Sequence, residues 1–454
     1  MTKQQIETLA RQLTVGETYF FRDKKSFKLL EEEILPEIIR KRREAGRFLR
    51  IWSAGCATGE EPYSIAMLLR RLIPDIKDWN ITVLGTDINA SFLQKAASGI
   101  YGEWSFRDVP SGVKEEFFRK SGKDIFELLP EVRKAVTFSY LNLSEDAYPS
   151  LTNNTNGMDV ILCRNVLMYF TEKSQRKVVG KLYRCLVKGG WLMVSPAEIS
   201  SLQSLPLSHA QFSVSTLWKN EVAREGAFKY EGTICPVTER TISEIPLPPS
   251  APAGGEEYIF TPPLDVMDEG EVTLNAAPSV VPPFSRENAD PYAEALKLFE
   301  KGCYAEAEQK ISALLAGADK NAPALALLSR IYANQGRLAE ARELCERAIA
   351  AGKLNPAYQY LLAAVLLEMG LEDESKIGLN RALYLDQDFV LAHFALGNLA
   401  RRKGMKRESE RHFENALSIL RKYPPDNILP ESEGITARRM VEIISRSMTE
   451  GSIA

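Results

Sequence analysis

The chain has 454 residues and a formal net charge of −3, which is long enough for several folded domains and gives no reason to expect nucleic acid as a partner. Its six cysteines are scattered without CxxC spacing, and its three histidines form no pair with metal-ligand spacing, so we predict free thiols and no metal site. The amino terminus lacks the apolar core of a signal peptide and no apolar run is long enough to span a membrane, which predicts a cytoplasmic protein without membrane insertion.

The first predicted elements are helical. Residues 1–13 form one short amphipathic helix at most, and the aromatic run that follows within 18–22 usually indicates core packing beside a surface arginine. Residues 27–43 are predicted to be a helix that ends in the basic run 40–43. The commoner interpretation of that run is a solvated helix end whose cations suit the helix dipole, and the alternative is a patch for an acidic partner.

A strand, a glycine turn and a helix follow. The apolar strand 48–52 leads into the small-residue loop 53–59, which contains Gly55. Such a turn lets a ligand approach the backbone at the carboxyl end of a parallel strand, where open α/β sheets bind ligands. The loop is neither GxGxxG nor a phosphate loop. Glu60 and Glu61 would repel a diphosphate there and would suit a cation such as S-adenosylmethionine.

A second predicted strand, 81–86, ends in Asp87. An acid at the tip of the second strand of such a unit can accept both hydroxyls of an adenosine ribose. The alternative is a strand-terminal aspartate that caps the next helix. Together with the glycine turn, Asp87 favours a nucleoside site.

Two later strands also end in polar residues. Asn142 follows one of them, and the apolar strand 159–163 runs into Arg164 and Asn165. Polar residues at this place fall at the carboxyl edge of a parallel sheet, although both asparagines could simply be turn residues. Tyr169 could reach the same edge from the next helix. The βα pattern is completed by helix 173–186, a turn at 188–190, strand 191–194 and a last strand at 228–230.

The composition changes after residue 232. Dense prolines among glutamate, glycine and serine predict an extended or disordered linker over 233–288. Small residues then recur every 34 residues, at Gly302, Gly336, Gly370 and Gly404, at Ala307, Ala341, Ser375 and Ser409, and at Ala348, Ala382 and Ala416. This period resembles tetratricopeptide repeats and predicts about four repeats with a capping helix over 289–448. Such arrays generally bind a peptide or protein partner on their concave face.

Five motifs, in order, closely resemble the CheR-type chemotaxis-receptor methyltransferases. They are TYFFR at 18–22, GEEPYS at 59–64, TDI at 86–88, LNL at 141–143 and CRNVLMYF at 163–170. The resemblance covers roughly half of the chain. It implies an α/β Rossmann-like, S-adenosylmethionine-dependent methyltransferase domain over 1–232, with a small β-subdomain near 117–138, joined by the Pro-rich linker to an all-α tetratricopeptide-repeat solenoid.

The resemblance also implies the site residues. It places Thr18, Arg22, Gly55, Glu61, Asp87, Asn142, Leu143, Arg164 and Asn165 at the cofactor, and gives Arg22 and Tyr169 catalytic roles. By their chemistry, Glu61 suits the methionine ammonium better than Glu60, and Asp87 suits the ribose. Arg22 is expected to orient the acceptor carboxylate, and Tyr169 to donate a hydrogen bond.

The implied activity is O-methylation of glutamate side chains on the cytoplasmic part of a methyl-accepting receptor, with S-adenosylhomocysteine as the second product. Members of this family usually carry a longer basic amino-terminal subdomain, and often an asparagine where this chain has Gly16. Because the 117–138 segment is also shorter than in tether-binding members, we expect a tether-independent enzyme. The alternative is a non-catalytic scaffold that assembles a chemosensory complex through the repeats. Retention of Arg22, Glu61, Asp87, Asn165 and Tyr169 argues against it.

Overall fold

The structure is a computed structural model that describes residues 14, 16–195, 197–198, 208–212, 215–219 and 290–450. Of residues 208–212 and 215–219, and of residues 446, 449 and 450, only the backbone is described. The predicted elements at 1–13 and 228–230 and the predicted linker at 233–288 lie outside the described residues.

The first half of the chain is built around a mostly parallel sheet. Its strands and those of a smaller sheet are β1 (Phe48–Ala54), β2 (Asn80–Asp87), β3 (Ile100–Gly102), β4 (Phe118–Gly122), β5 (Ile125–Leu128), β6 (Val136–Tyr140), β7 (Met158–Leu162), β8 (Leu186–Val194), β9 (Ser208–Phe212) and β10 (Ser215–Lys219). The larger sheet has seven strands in the order β6-β2-β1-β7-β8-β10-β9. Its first five are parallel, and β10 runs antiparallel to β8 and β9. The strand order reverses between β1 and β7, where α/β sheets of this kind bind ligands.

Helices cover this sheet. They are α1 (Lys24–Leu29), α2 (Leu35–Glu44), α3 (Glu60–Leu72), α4 (Ala90–Ser98), α5 (Val113–Phe117), α6 (Pro130–Arg133) and α7 (Glu172–Cys185), with a π-helical segment (Leu30–Ile34) between α1 and α2 and 3-10 turns at Ile76–Asp78, Glu103–Phe106 and Leu167–Tyr169. The segment predicted to be a small β-subdomain, near 117–138, contains β4 and β5, which pair antiparallel and join β3 in the smaller sheet. The predicted turn at 188–190 is wrong. It lies within β8, where Gly189 has φ +80° and the pairing with β7 shifts register.

The basic run at the end of α2 is paired within the chain. Arg42 contacts Asp159 at 2.5 Å, and Arg43 contacts Asp75 at 2.6 Å. These ion pairs neutralise much of the charge that a patch for an acidic partner would need.

The second half of the chain is helical. Its helices are α8 (Pro291–Glu300), α9 (Tyr304–Gly317), α10 (Ala322–Asn334), α11 (Leu338–Ala351), α12 (Pro356–Glu368), α13 (Glu372–Leu385), α14 (Val390–Arg402), α15 (Lys406–Leu420) and α16 (Ala437–Glu450). The periodic glycines end the first helix of each pair with positive φ, between +73° and +79°. The periodic small residues lie where paired helices touch: Ser375 Oγ donates to the carbonyl of Ala363 (2.7 Å), and Ser409 Oγ to that of Gly397 (2.8 Å). The repeat prediction is therefore confirmed.

The repeats and the α/β half form one compact unit. Asn80, at the start of β2, donates from its side chain to the carbonyl of Glu368 (2.6 Å). Gly157 precedes β7, and a Cβ there would lie 3.2 Å from the Cα of Gly336. These contacts lie at the amino ends of parallel strands, so the repeats cover the edge of the sheet opposite the β1–β7 switch point.

Two further sequence predictions can be compared with the described residues. The five cysteines among them form no disulfide bond. No helix in the described part of the chain combines the length and apolar character needed to cross a bilayer.

Candidate active site

The loop after β1 lies against both neighbouring strands. Gly55 and Cys56 donate their N–H groups to the carbonyl of Thr86 at 2.7 and 2.9 Å. Gly55 has φ +81°, and a Cβ there would lie 2.4 Å from Cγ2 of Val166. Glycine is required at this position, because residues with a side chain rarely adopt this φ and a Cβ would clash with Val166. The backbone of the loop is thus held beside the segment that follows β7.

Glu60 is enclosed by the protein. It begins α3 directly after Gly59, and its side chain accepts hydrogen bonds from Thr58 Oγ1 (2.6 Å) and Ser105 Oγ (3.0 Å). The residue is 1% exposed, and this burial raises the pKa of its carboxyl group above the ordinary value. Its contacts are those of a residue that holds the start of α3 in place.

Glu61 faces the switch point. Its carboxylate accepts a hydrogen bond from Ser53 Oγ at 2.7 Å and lies 3.3 Å from Nη1 of Arg164. The side chain is 16% exposed. This difference in surroundings favours Glu61 over Glu60 as the ligand of an ammonium group.

Asp87 joins the ends of two strands. Its Oδ2 accepts from the N–H of Ala57 (2.9 Å), and its Oδ1 accepts from the N–H of Asn89 (2.8 Å). The first bond fixes the carboxylate to the glycine loop, and the second corresponds to the capping alternative. Burial raises the pKa of Asp87, while the bonds to Asn89 and Ala57 oppose the shift. Because a carboxylate has about four lone-pair positions, Asp87 retains acceptor capacity for ligand hydroxyls.

Arg164 connects β7 with the segment before α1. Its Nη1 donates to the carbonyl of Arg22 (3.0 Å), and its Nη2 donates to Asp23 Oδ2 (3.1 Å). The side chain is 4% exposed, and its Nε is buried without an acceptor among the described residues. A buried donor of this kind has the chemistry to receive an acceptor group from a ligand.

The aromatic motif divides into buried and partly exposed residues. Phe20 and Phe21 are buried in the core, as the aromatic run predicted, whereas Thr18 and Arg22 are half-buried. The guanidinium group of Arg22 donates to the carbonyl of Glu17 and lies 5.8 Å from the ring centre of Tyr19.

The loop after β6 is a compact turn beside Asp87. The N–H of Leu141 donates to the carbonyl of Asp87 (3.2 Å), and the side-chain oxygen of Asn142 accepts from the N–H of Ser144 (3.0 Å). Asn142 therefore has the turn role that was the alternative interpretation, in a loop that lies at the site. Leu143 is buried in the core under this loop.

Glu198 is a residue that the sequence reasoning missed. Its buried carboxylate accepts backbone N–H groups from Asn165 (2.9 Å), Val166 (2.7 Å) and Met168 (3.3 Å). Asn165 has φ +59°, so this loop turns sharply. Glu198 therefore fixes the shape of the loop after β7. It follows an apolar strand closely, which is the same signal that pointed to Arg164.

Tyr169 lies on the surface of this edge. It ends the 3-10 turn Leu167–Tyr169, which lies between β7 and α7. Its side chain is 64% exposed.

Two of the three histidines lie in contact in the repeats. The Nδ1 atoms of His393 and His412 are 3.0 Å apart. No group of three or more possible metal ligands occurs in the part of the chain that the structure describes.

The comparisons with known proteins agree with this architecture. Residues 16–212 match the family model described as CheR methyltransferase, SAM binding domain, and residues 292–365 match a tetratricopeptide repeat model. Chemotaxis protein methyltransferase 2 of Vibrio cholerae is 35% identical over 213 residues, which are 47% of this chain and 72% of that protein. Chemotaxis protein methyltransferase of Borreliella burgdorferi is 34% identical over 43% of this chain and 68% of that protein. Probable biofilm formation methyltransferase WspC of Pseudomonas aeruginosa is 29% identical over 86% of this chain and 81% of that protein.

Proposed function

The chain belongs to the CheR family of chemotaxis methyltransferases, and we propose that it transfers methyl groups from S-adenosylmethionine to glutamate side chains of a methyl-accepting receptor. One observation supports the proposal above all. Glu61, Asp87 and Arg164 lie beside the carboxyl ends of three neighbouring strands, around the glycine loop that follows β1.

The residues at this edge fit the cofactor in charge and in hydrogen-bonding character. Glu61 binds the α-ammonium group, and the buried Nε of Arg164, which lacks an acceptor among the described residues, suits the methionine carboxylate. Asp87 accepts the ribose hydroxyls, and the loop containing Asn142 and Leu143 borders the adenine. Thr18, Gly55 and Asn165 complete the binding site.

The chain supplies position rather than proton transfer. When bound, S-adenosylmethionine supplies an electrophilic methyl group and leaves as S-adenosylhomocysteine. A glutamate side chain is ionised near neutral pH, since its pKa is about 4.3, so no general base is needed. Arg22 orients the acceptor carboxylate and Tyr169 donates a hydrogen bond to it. Alignment of this kind can contribute several kcal/mol to catalysis.

The receptor is the proposed partner of the α/β half, and it places the enzyme in the cytoplasm, where the methylated part of such receptors lies. The repeats bind a second protein or peptide. A second candidate function is methylation in a biofilm-forming chemosensory pathway, which the similarity to WspC over both halves of the chain favours.

The test uses the full chain, cofactor labelled on its methyl group, and receptor cytoplasmic fragments from the same cell. We expect label on the receptor that is released as methanol by base, because a glutamate methyl ester is base-labile. Asp87→Ala should abolish this label together with binding of S-adenosylhomocysteine measured by calorimetry. Cofactor binding by the wild-type chain without any receptor label would instead support the scaffold alternative.

A further inference from the structure

The last helix of the repeats reaches the loop that follows β6. Arg439, in the first turn of α16, donates from Nη2 to Oδ2 of Asp146 at 2.8 Å. Both side chains are largely buried, at 17% and 16% exposure, so this ion pair is only weakly screened by solvent. The partners belong to different halves of the chain.

The same carboxylate atom also holds the proposed cofactor loop. Asp146 Oδ2 accepts the N–H of Asn142 at 2.6 Å, so one oxygen receives both Arg439 and the backbone of Asn142. The guanidinium group also lies 4.6 Å from the ring centre of Tyr140, which is the last residue of β6 and the register partner of Asp87. Arg439 therefore contacts residues on both sides of Leu141 and Asn142.

Arg439 is itself held in one orientation. Its Nη1 contacts Glu442, one turn further along α16, at 2.9 Å. An arginine fixed at one end by its own helix transmits the position of that helix to the group at its other end. The geometry consequently joins the end of the repeat array to the loop beside Asp87 through a single side chain.

We infer that Arg439 is a positioning residue for cofactor binding, so that S-adenosylmethionine binds tightly only when the end of the repeat array is seated on the β6 loop. The inference rests on the proposed function, because it concerns the cofactor site defined there. It adds that the repeats contribute to that site from outside the methyltransferase domain, through Asp146 and without touching the cofactor.

Calorimetry of the full chain with S-adenosylhomocysteine tests the inference. Arg439→Ala should weaken binding about tenfold, the effect of losing one charge-assisted hydrogen bond worth roughly 1.5 kcal/mol. The receptor-methylation rate at saturating cofactor should stay within about twofold of wild type. Arg438→Ala is the matched control, because Arg438 is the neighbouring residue of α16, is 60% exposed and pairs with the exposed Asp426.

Two further variants separate positioning from general stability. Arg439→Lys keeps the charge and should recover part of the affinity. In an Asp146→Asn background, Arg439→Ala should have no further effect on affinity, because an uncharged amide has already replaced the carboxylate through which Arg439 acts.

The inference is overturned if Arg439→Ala binds S-adenosylhomocysteine like wild type, if Arg438→Ala weakens binding equally, or if the Arg439 and Asp146 effects simply add. Failure of the wild-type chain to bind S-adenosylhomocysteine would refute the proposed function instead, so the two failures are distinguishable.

Discussion

Glu368→Ala should separate the stability of the docked repeats from the activity of the enzyme. Glu368 ends α12 and its buried carboxylate enters the α/β half, where Oε2 accepts from Asn156 Nδ2 at 2.7 Å and lies 3.7 Å from Nη1 of Arg50. Burial raises the pKa of this carboxyl group, and the Arg50 charge and the Asn156 bond oppose the shift. The substitution removes the counter-charge of an arginine that is 4% exposed.

The expected loss in the free energy of unfolding depends on the hydrogen bonds that Arg50 keeps in the variant. Breaking a buried ion pair typically costs about 3–5 kcal/mol, because the other charge is left uncompensated. Here Arg50 retains hydrogen bonds to the carbonyls of Asn156 (3.0 Å) and Asn154 (3.1 Å), and the Oε1 atom of Glu368 is buried without a partner among the described residues. Both facts reduce the loss, so we expect the free energy of unfolding to fall by about 2–3 kcal/mol.

Urea denaturation of the full chain, followed by circular dichroism, measures this loss. The matched control is Glu374→Ala, since Glu374 is a half-exposed glutamate whose contact with Arg342 is 3.5 Å long and should contribute under about 1 kcal/mol. Affinity for S-adenosylhomocysteine should not change, because Glu368 lies at the opposite edge of the sheet. If both variants lose less than about 0.5 kcal/mol, Arg50 is satisfied within the α/β half and the reasoning is refuted.

Three other outcomes can be measured directly. Arg22→Ala should reduce kcat far more than cofactor affinity, because its proposed partner is the acceptor carboxylate; equal losses in kinetics and calorimetry would reassign it to cofactor binding. Glu198→Ala should lower both the melting temperature and kcat/KM by leaving buried N–H groups of the β7 loop unpaired, at a cost of about 1–3 kcal/mol, whereas unchanged melting would show that water replaces the carboxylate. Burial lowers the pKa of His412 to about 4 and also lowers that of His393. The contribution of these neutral histidines to the free energy of unfolding should therefore be fully present above pH 6.5 and be lost as the pH falls towards 4. His412→Gln should flatten this pH dependence of the melting temperature, and an unflattened curve would contradict the assignment.

A polar residue that directly follows an apolar strand predicts which side chains lie at the carboxyl edge of the parallel sheet. This pattern placed Asp87 and Arg164 at one edge, because parallel strands bring their carboxyl ends together, whatever the length of chain between them. Glu198 also lies shortly after an apolar strand, but it was missed. It accepts N–H groups from another loop, and no local sequence pattern indicates that role.

The contacts between the two halves could not be predicted at all. In the sequence, Arg50 is a single charged residue within an apolar strand. Its partners Asn156 and Glu368 come from distant parts of the chain. Pairings within the α/β half were equally unpredictable, because Arg42 and Arg43 have the pattern of a solvated helix end but pair with carboxylates of other elements. Periodicity reports which residues of a helix or strand are buried, but it carries no information about which surfaces of two domains meet.

The contact between Gly157 and Gly336 sets a condition for exchanging repeat arrays between proteins. Gly336 has φ +77°, so any grafted array with the same turn would bring its own glycine to this point, and a Cβ there would also lie 2.8 Å from Val187. Gly157 lies outside the repeats, so the repeat pattern does not require a glycine there. A chimaera that carries a foreign array with this turn therefore requires the host enzyme to keep a residue without a side chain at position 157.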